Sequence, residues 1–313
     1  MPRRHRLRAQ RDARRLSAGT QRRQRARTSR SPGAVSAAAG VTAVEVGDGH
    51  RFELITRVPE APRRRLLWLP AMGVPARHYL PFADALAARG IAVGLHEWRG
   101  IGSSNLRAGR ACDWGYRELL ADIAGSDAAL DGCAPNAARI VGGHSLGGQL
   151  ACCHLALHPD TAQTLWLVAS GAPYWRAFPP RVRYALPPLY RFMAWIARVR
   201  GALPGRRLGF AGNESRSVIA DWTCSGLRGR YSAAGLGVDL DAAMGRVEVD
   251  VRAAWLHDDW LGPPTSLRFL LSKLGSGADA DIAGFAARDL GTAADHFAWM
   301  RTPAVIAAWL ADA

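Results

Sequence analysis

Arg139-Ile140-Val141-Gly142-Gly143-His144-Ser145-Leu146-Gly147-Gly148 carries a short apolar stretch into a Gly-x-Ser-x-Gly turn, and a second apolar segment, Gln149 to His158, follows. The first part predicts a buried strand and the last a helix. Between them Ser145 would stand on a turn too sharp for side chains nearby, and Gly143 and Gly147 remove those side chains. A serine held clear of its backbone in this way can attack an electrophilic carbon. The first amides of the helix would then face the negative charge that develops. Gly-x-Ser-x-Gly arises by chance in a chain with 33 glycines. Its position between a strand and a helix is what gives it weight.

Outward from this turn, strands and helices alternate. On the N-terminal side, Val41–Val46 and Arg51–Arg57 predict a hairpin around Gly47-Asp48-Gly49. Strand Leu66–Leu69, helix Arg77–Arg89 (stopped by Gly90), strand Ile91–His96 and helix Gly115–Leu130 follow. On the C-terminal side come strand Thr164–Ala169 and, after an interruption, strand Val249–Leu256, helix Ser266–Leu274, strand Ala280–Phe285 and a closing helix, His296–Ala311. This rhythm implies an α/β protein with a mostly parallel sheet covered on both faces. The interruption, 173–248, mixes prolines, arginines and aromatics with short helical stretches such as Leu189–Val199. It predicts an insertion over the carboxyl ends of the strands, where such sheets bind ligands. The expected organisation is therefore a tail over 1–40, a core over 41–172, a cap over 173–248 and the rest of the core over 249–313.

Composition narrows the function. The formal charge of +15 suggests a nucleic-acid partner until it is located: residues 1–30 hold twelve arginines and one aspartate, so the body is close to balanced. A tail that is Arg-, Ser- and Ala-rich without large apolar residues cannot bury a core, and it is expected to be disordered and solvated. Binding of nucleic acid or an acidic surface by the tail, and an organelle transit peptide, are weaker readings; the chemistry requires no nucleic acid. The single lysine, Lys273, follows Ser272 rather than glycine, which excludes a P-loop. Five cysteines without ligand spacing fit a reduced, cytoplasmic setting. No apolar run approaches the ~18 residues of a membrane span, and arginines interrupt any secretory signal.

A nucleophilic serine needs a base, and a carboxylate to orient that base. Of nine histidines, His257 and His296 follow the turn at a workable distance. His296 closes a polar loop at the start of the last helix and is the better placed. No carboxylate closely follows Thr164–Ala169, which leaves the pair Asp258-Asp259.

Further stretches join the turn: Pro70-Ala71-Met72-Gly73-Val74-Pro75, Arg99-Gly100-Ile101-Gly102-Ser103-Ser104, Asp258-Asp259-Trp260-Leu261-Gly262-Pro263-Pro264 and Asp295-His296-Phe297-Ala298-Trp299-Met300-Arg301. With these the chain resembles the α/β-hydrolase superfamily from about Val41 to Ala313, and within it a poorly characterised bacterial subgroup of predicted serine hydrolases. The resemblance implies that fold, with a cap insertion, and a Ser145-Asp259-His296 triad. Asp259 is chosen because the acid in that family commonly precedes a proline, here Pro263, by four positions. It also implies an oxyanion hole from the amides of Leu146 and Met72. Relatives often carry His-Gly where this chain has Pro70-Ala71, so Ala71 stays an alternative to Met72. The expected activity is hydrolysis of a carboxylic ester, or a thioester, with an apolar acyl part and no cofactor. Acyl transfer, and a non-catalytic scaffold, are the alternatives.

Other features read more simply. His154 and His158 are spaced as in His-Glu-x-x-His, but Leu155 replaces the glutamate and no third ligand is in view, so no metal is expected. Gly100-Ile101-Gly102 has Asn105 where a dinucleotide site needs glycine. Arg181–Arg207 mixes arginines with Tyr184, Tyr190, Phe192 and Trp195 and could lie on a membrane. Prolines 179, 180, 187, 188 and 204 are expected to interrupt such a face, which favours a cap. Trp175, Trp195, Trp222 and Trp260 are candidates to line an acyl pocket.

Overall fold

The computed structural model describes residues 37–208 and 212–312. The expected tail lies outside these residues except for its last four, which belong to the first strand. That strand, β1 (Ala37–Glu45), pairs antiparallel with β2 (Arg51–Pro59). The turn between them closes through Gly49 N–H donating to Val46 O at 2.9 Å, with Gly49 at φ 82. The remaining strands of the main sheet are β3 (Arg64–Leu69), β4 (Ile91–Leu95), β5 (Ala138–His144), β6 (Thr164–Val168), β7 (Asp250–Leu256) and β8 (Asp281–Phe285). Their order is β1-β2-β4-β3-β5-β6-β7-β8, and every pair from β4 onward is parallel.

The central strands read as continuous apolar runs because both faces are covered. Along β3, Leu67 and Leu69 point to one face and Leu66 and Trp68 to the other, following the two-residue period of a strand. β6 divides likewise, with Leu165 and Leu167 on the first face and Trp166 and Val168 on the second. Helices α2 (Tyr116–Cys133) and α3 (Leu146–Leu157) cover the first face with Leu119, Ile123 and Leu150. Helices α1 (Leu80–Ala87) and α8 (Ala304–Ala311) cover the second with Phe82, Leu86, Ile306 and Leu310.

Prolines reset two expected helices. The segment expected as one helix from Arg77 is a 3-10 turn, Ala76–Tyr79, followed by α1, which has Pro81 in its first turn. Without an N–H, Pro81 cannot bond back into a preceding turn. The closing helix is divided for the same reason. A 3-10 turn, Ala298–Arg301, ends before Pro303, and α8 begins after it. His296 therefore sits in a loop and not at a helix start.

Between β6 and β7 the chain leaves the sheet. It forms α4 (Leu186–Arg200), a short antiparallel ladder of Ala202–Pro204 with Asn213–Ser215, α5 (Arg216–Arg228) and α6 (Leu240–Met244). Tyr190 fixes α4 to α5: its ring meets Trp222 edge-on at 5.1 Å, and its hydroxyl donates to Pro173 O at 2.7 Å. Ser215 Oγ donates to Trp114 O at 2.6 Å, tying this segment to the loop before α2. Helix α7 (Pro264–Leu271) follows β7.

Candidate active site

At the end of β5 the backbone takes the turn that the glycine spacing predicts. Ser145 has φ 56 and ψ −118, a region that L-residues rarely occupy. A Cβ on Gly143 would lie 2.3 Å from Gly147 C, and one on Gly147 would lie 2.0 Å from Leu69 O. Neither position can hold any other residue without moving backbone. The strain is shared with the neighbouring strand end, where Ala169 has φ 47. Ser145 N–H donates to Val168 O at 3.3 Å and Ala169 N–H to Ala254 O at 2.9 Å, so β5, β6 and β7 hold the turn in series.

Asp259 lies in the loop after β7 and is buried. Its Oδ1 accepts the amides of Leu261 at 2.9 Å and Gly262 at 3.0 Å, and its Oδ2 receives His296 Nδ1 at 2.8 Å. Because a carboxylate only accepts, His296 carries its proton on Nδ1, and Nε2 keeps its lone pair to take a proton. Gly262 belongs to this arrangement, since a Cβ there would lie 2.9 Å from Asp259 Oδ2. The other candidates are not brought in. Asp258 is exposed, and its amide donates to Ala294 O at 3.0 Å. His257 is exposed and stacks on Trp255 at 4.5 Å. Asp295 Oδ1 accepts the amides of Phe297 at 2.9 Å and Ala298 at 2.8 Å, capping the 3-10 turn beside His296.

The link between Ser145 and this pair passes through His144, whose ring lies 4.7 Å from that of His296. His144 is fully buried, and burial first, then the neighbouring His296, pushes its pKa well below the usual range. It is therefore neutral. Its Nδ1 lies 2.8 Å from Tyr79 Oη, and that oxygen also accepts the Ala71 amide at 2.9 Å. With Nδ1 unprotonated the phenol donates to it; with Nδ1 protonated the phenol oxygen accepts from it as well. Burial raises the Tyr79 pKa, so the phenol keeps its proton. No motif marked Tyr79 in the sequence; only its aromatic character in an apolar segment was visible.

This contact also divides the two candidate amides of the loop after β3. Ala71 N–H is occupied, whereas the amides of Met72 and Leu146 have no acceptor among the described residues. Trp98 Nε1 donates to Pro70 O at 3.0 Å, which ties the loop after β3 to the segment after β4. Glu97 Oε1 accepts Ala76 N–H at 3.0 Å on the loop's other side. The Arg99 loop is structural: Arg99 binds Asp122 through two contacts, at 2.6 and 2.8 Å, and Asp48 at 2.7 Å.

The sequence profile of the family described as serine aminopeptidase, S33, matches residues 60–278. The chain belongs to this family of α/β-hydrolases. No curated protein matches it. Among solved structures, a thermophilic esterase from Thermogutta terrifontis superposes with a TM-score of 0.57 at 14% identity, over 88% of this chain and 97% of that one. An enol-lactonase from Burkholderia xenovorans LB400 gives 0.54 at 17%, over 87% and 98%. A monoacylglycerol lipase from Paleococcus ferrophilus gives 0.54 at 16%, over 88% and 99%. At such identities the likeness establishes the fold.

In this α/β-hydrolase a cavity of about 640 Å³ opens beside His296, between Gly73-Val74 and Trp260-Leu261, with Phe297 and Met300 on its wall. A larger one, about 1040 Å³, lies at the opposite ends of the strands around Thr164 and Asp250, away from Ser145. Of the four tryptophans considered for an acyl pocket, Trp260 alone lines the cavity beside His296. Trp222 packs on Tyr190, and Trp195 is 59% exposed on the outer side of α4. Across the cavity mouth, the segment after α4 reaches the loop after β3: a Cβ on Gly212 would lie 3.0 Å from Gly73 Cα. No group of three or more His, Cys, Asp or Glu among the described residues could hold a metal ion. His154 Nε2 lies 3.4 Å from Thr161 Oγ1. No helix among the described residues is long and apolar enough to cross a membrane.

Proposed function

We propose that this hydrolase cleaves a carboxylic ester through an acyl-serine intermediate. Ser145 Oγ attacks the carbonyl carbon while its proton passes to His296 Nε2. Asp259 holds His296 in the required tautomer and stabilises the imidazolium that forms. The amides of Leu146 and Met72 receive the oxyanion. When the tetrahedral intermediate collapses, His296 returns the proton to the departing alcohol. Water then repeats the sequence, freeing the acid and restoring Ser145. The observation that carries this reading is the Asp259–His296 contact at 2.8 Å beside a serine at φ 56.

The segment 173–248 acts as a cap, and the wall of Trp260, Phe297 and Met300 suits an apolar acyl group. A thioester, and acyl transfer to an acceptor other than water, are alternatives at the same site. The family's own name makes an aminoacyl amide the competing substrate. The residues before Ala37 are an accessory tail, not part of the chemistry, and the setting is the cytoplasm. The test is a series of p-nitrophenyl esters of increasing chain length, with aminoacyl p-nitroanilides alongside, on wild type and Ser145→Ala. Turnover of the esters by wild type and its loss in the variant supports the reading; preferential turnover of the anilides overturns the ester assignment.

A further inference from the structure

Within Arg181–Arg207 the chain divides into a one-turn helix, Pro180–Arg183, then α4 and the strand Ala202–Pro204, but the prolines leave α4 itself unbroken. Pro187 and Pro188 fall in the first turn of α4, where a missing N–H leaves no bond unmade, and Pro204 lies beyond its end at Gly201. The result is a continuous helix of 15 residues. Its inner face, Leu186, Tyr190, Met193 and Ala197, is buried. Its outer face is apolar as well: Leu189 is 46% exposed, Phe192 54%, Trp195 59% and Val199 52%. At 3.6 residues per turn these four span about 120° of the circumference and about 15 Å of length. Phe192 and Trp195 stack on one another at 5.9 Å.

Arginines border this stripe. Arg191 and Arg198, both exposed, lie along one edge, and the exposed Arg200 lies on the other. At the N-terminal approach, Arg183 sits over the exposed Tyr184 at 4.7 Å and Arg176 over Trp175 at 4.9 Å. From Pro173 to Leu208 there are eight arginines and no acidic residue. A second copy of the same face would bring arginine against arginine, so self-association is disfavoured. An aromatic and aliphatic stripe between rows of cations matches the boundary between headgroups and acyl chains in an anionic bilayer.

We propose that the outer face of α4 docks the enzyme on an anionic lipid surface, with Leu189, Phe192, Trp195 and Val199 entering the acyl boundary and the arginines contacting headgroups. The docking does not depend on the chemistry at Ser145. The Arg-rich N-terminal residues would also bind acidic vesicles, but by charge alone, and that attraction is lost in high salt.

The test is co-sedimentation of the full chain with vesicles of phosphatidylcholine alone or with about 30% phosphatidylglycerol, at low salt and at about 0.5 M NaCl. Wild type should prefer the anionic vesicles and keep a measurable share of its binding at high salt. Phe192→Ser with Trp195→Ser, both outward-facing, should retain the wild-type melting temperature and lose at least about ten-fold in high-salt partition. Phe192→Ser alone should lose an intermediate amount. Ser145→Ala should partition as wild type whether or not it hydrolyses esters. The proposal is overturned if wild type ignores vesicles, or if the double variant binds within about two-fold of wild type at high salt. It is equally overturned if Ser145→Ala loses binding, or if lipid-free wild type is a dimer that the double variant abolishes.

Discussion

The phenol of Tyr79 accepts the amide of Ala71 at 2.9 Å and, through the same oxygen, reaches His144 at 2.8 Å. One hydroxyl thus joins the loop after β3 to the residue that precedes Ser145 and whose ring lies 4.7 Å from that of His296. Because it occupies the Ala71 amide, Met72 rather than Ala71 is the loop's donor in the proposed reaction.

Tyr79→Phe should therefore strand two buried polar groups, the Ala71 N–H and His144 Nδ1, at a cost of about 1–3 kcal/mol. The loop and the ring beside the base would then settle differently. We expect kcat to fall between about 10- and 100-fold with a smaller change in KM. An unchanged kcat in a destabilised variant would reduce Tyr79 to a structural role.

The three carboxylates near the base separate by what they touch. Asp259→Asn removes the acceptor that fixes the His296 tautomer and should lower kcat on the order of 10⁴-fold. Asp295→Asn weakens a cap and should cost about 1 kcal/mol of stability with little change in kcat. Asp258→Asn, at an exposed position whose backbone alone is bonded, should alter neither by much. Steady-state kinetics of the three purified variants decide the assignment; a dead Asp258→Asn beside an active Asp259→Asn would contradict it.

The glycines of the turn differ sharply from others in the chain. Gly147→Ala would place a Cβ 2.0 Å from Leu69 O, whereas a Cβ on Gly132 in α2 meets nothing within 4 Å. Gly147→Ala should fail to fold or melt far below wild type. Gly132→Ala should be neutral or gain about 0.5–1 kcal/mol from helix propensity. Thermal melts of both test the turn geometry independently of activity.

Glu214 gives the pH dependence a sign. Burial raises its carboxyl from 4.5 to about 7, opposed by the Gly212 amide. Folded chain then holds this proton more tightly than unfolded chain, so the group's contribution is full below pH 4.5 and lost as pH rises through about 7. Glu214→Gln removes the titration. Denaturant melts at about pH 5 and pH 8 should show a larger loss for wild type than for the variant between those values. Equal losses would contradict the burial argument.

Much of this was legible in the sequence because local rules and the fold agree there. The Gly143-His144-Ser145-Leu146-Gly147 turn needs its glycines for steric reasons that spacing alone exposes. The apolar runs of β3, β4 and β6 follow from burial on both faces. Asp259 and His296 were chosen by chain order and by family resemblance, and the fold brings them into contact. What could not be read depends on tertiary placement. Tyr79 looks like any core aromatic until its hydroxyl is seen between a backbone amide and an imidazole. Ala169, at φ 47, carries no sequence signal for a positive φ. Within 173–248, Pro187 and Pro188 start a helix instead of breaking one, and counting prolines does not distinguish the two. Trp195 was grouped with pocket residues although it faces outward, since composition gives no side.

An acyl-serine at Ser145 is tested most directly by treating the purified chain with a fluorophosphonate and locating the adduct by peptide mass spectrometry. The account predicts one adduct, on Ser145, absent in Ser145→Ala and formed far more slowly in His296→Ala. A folded wild-type chain that takes no label, or takes it on another residue, would contradict it.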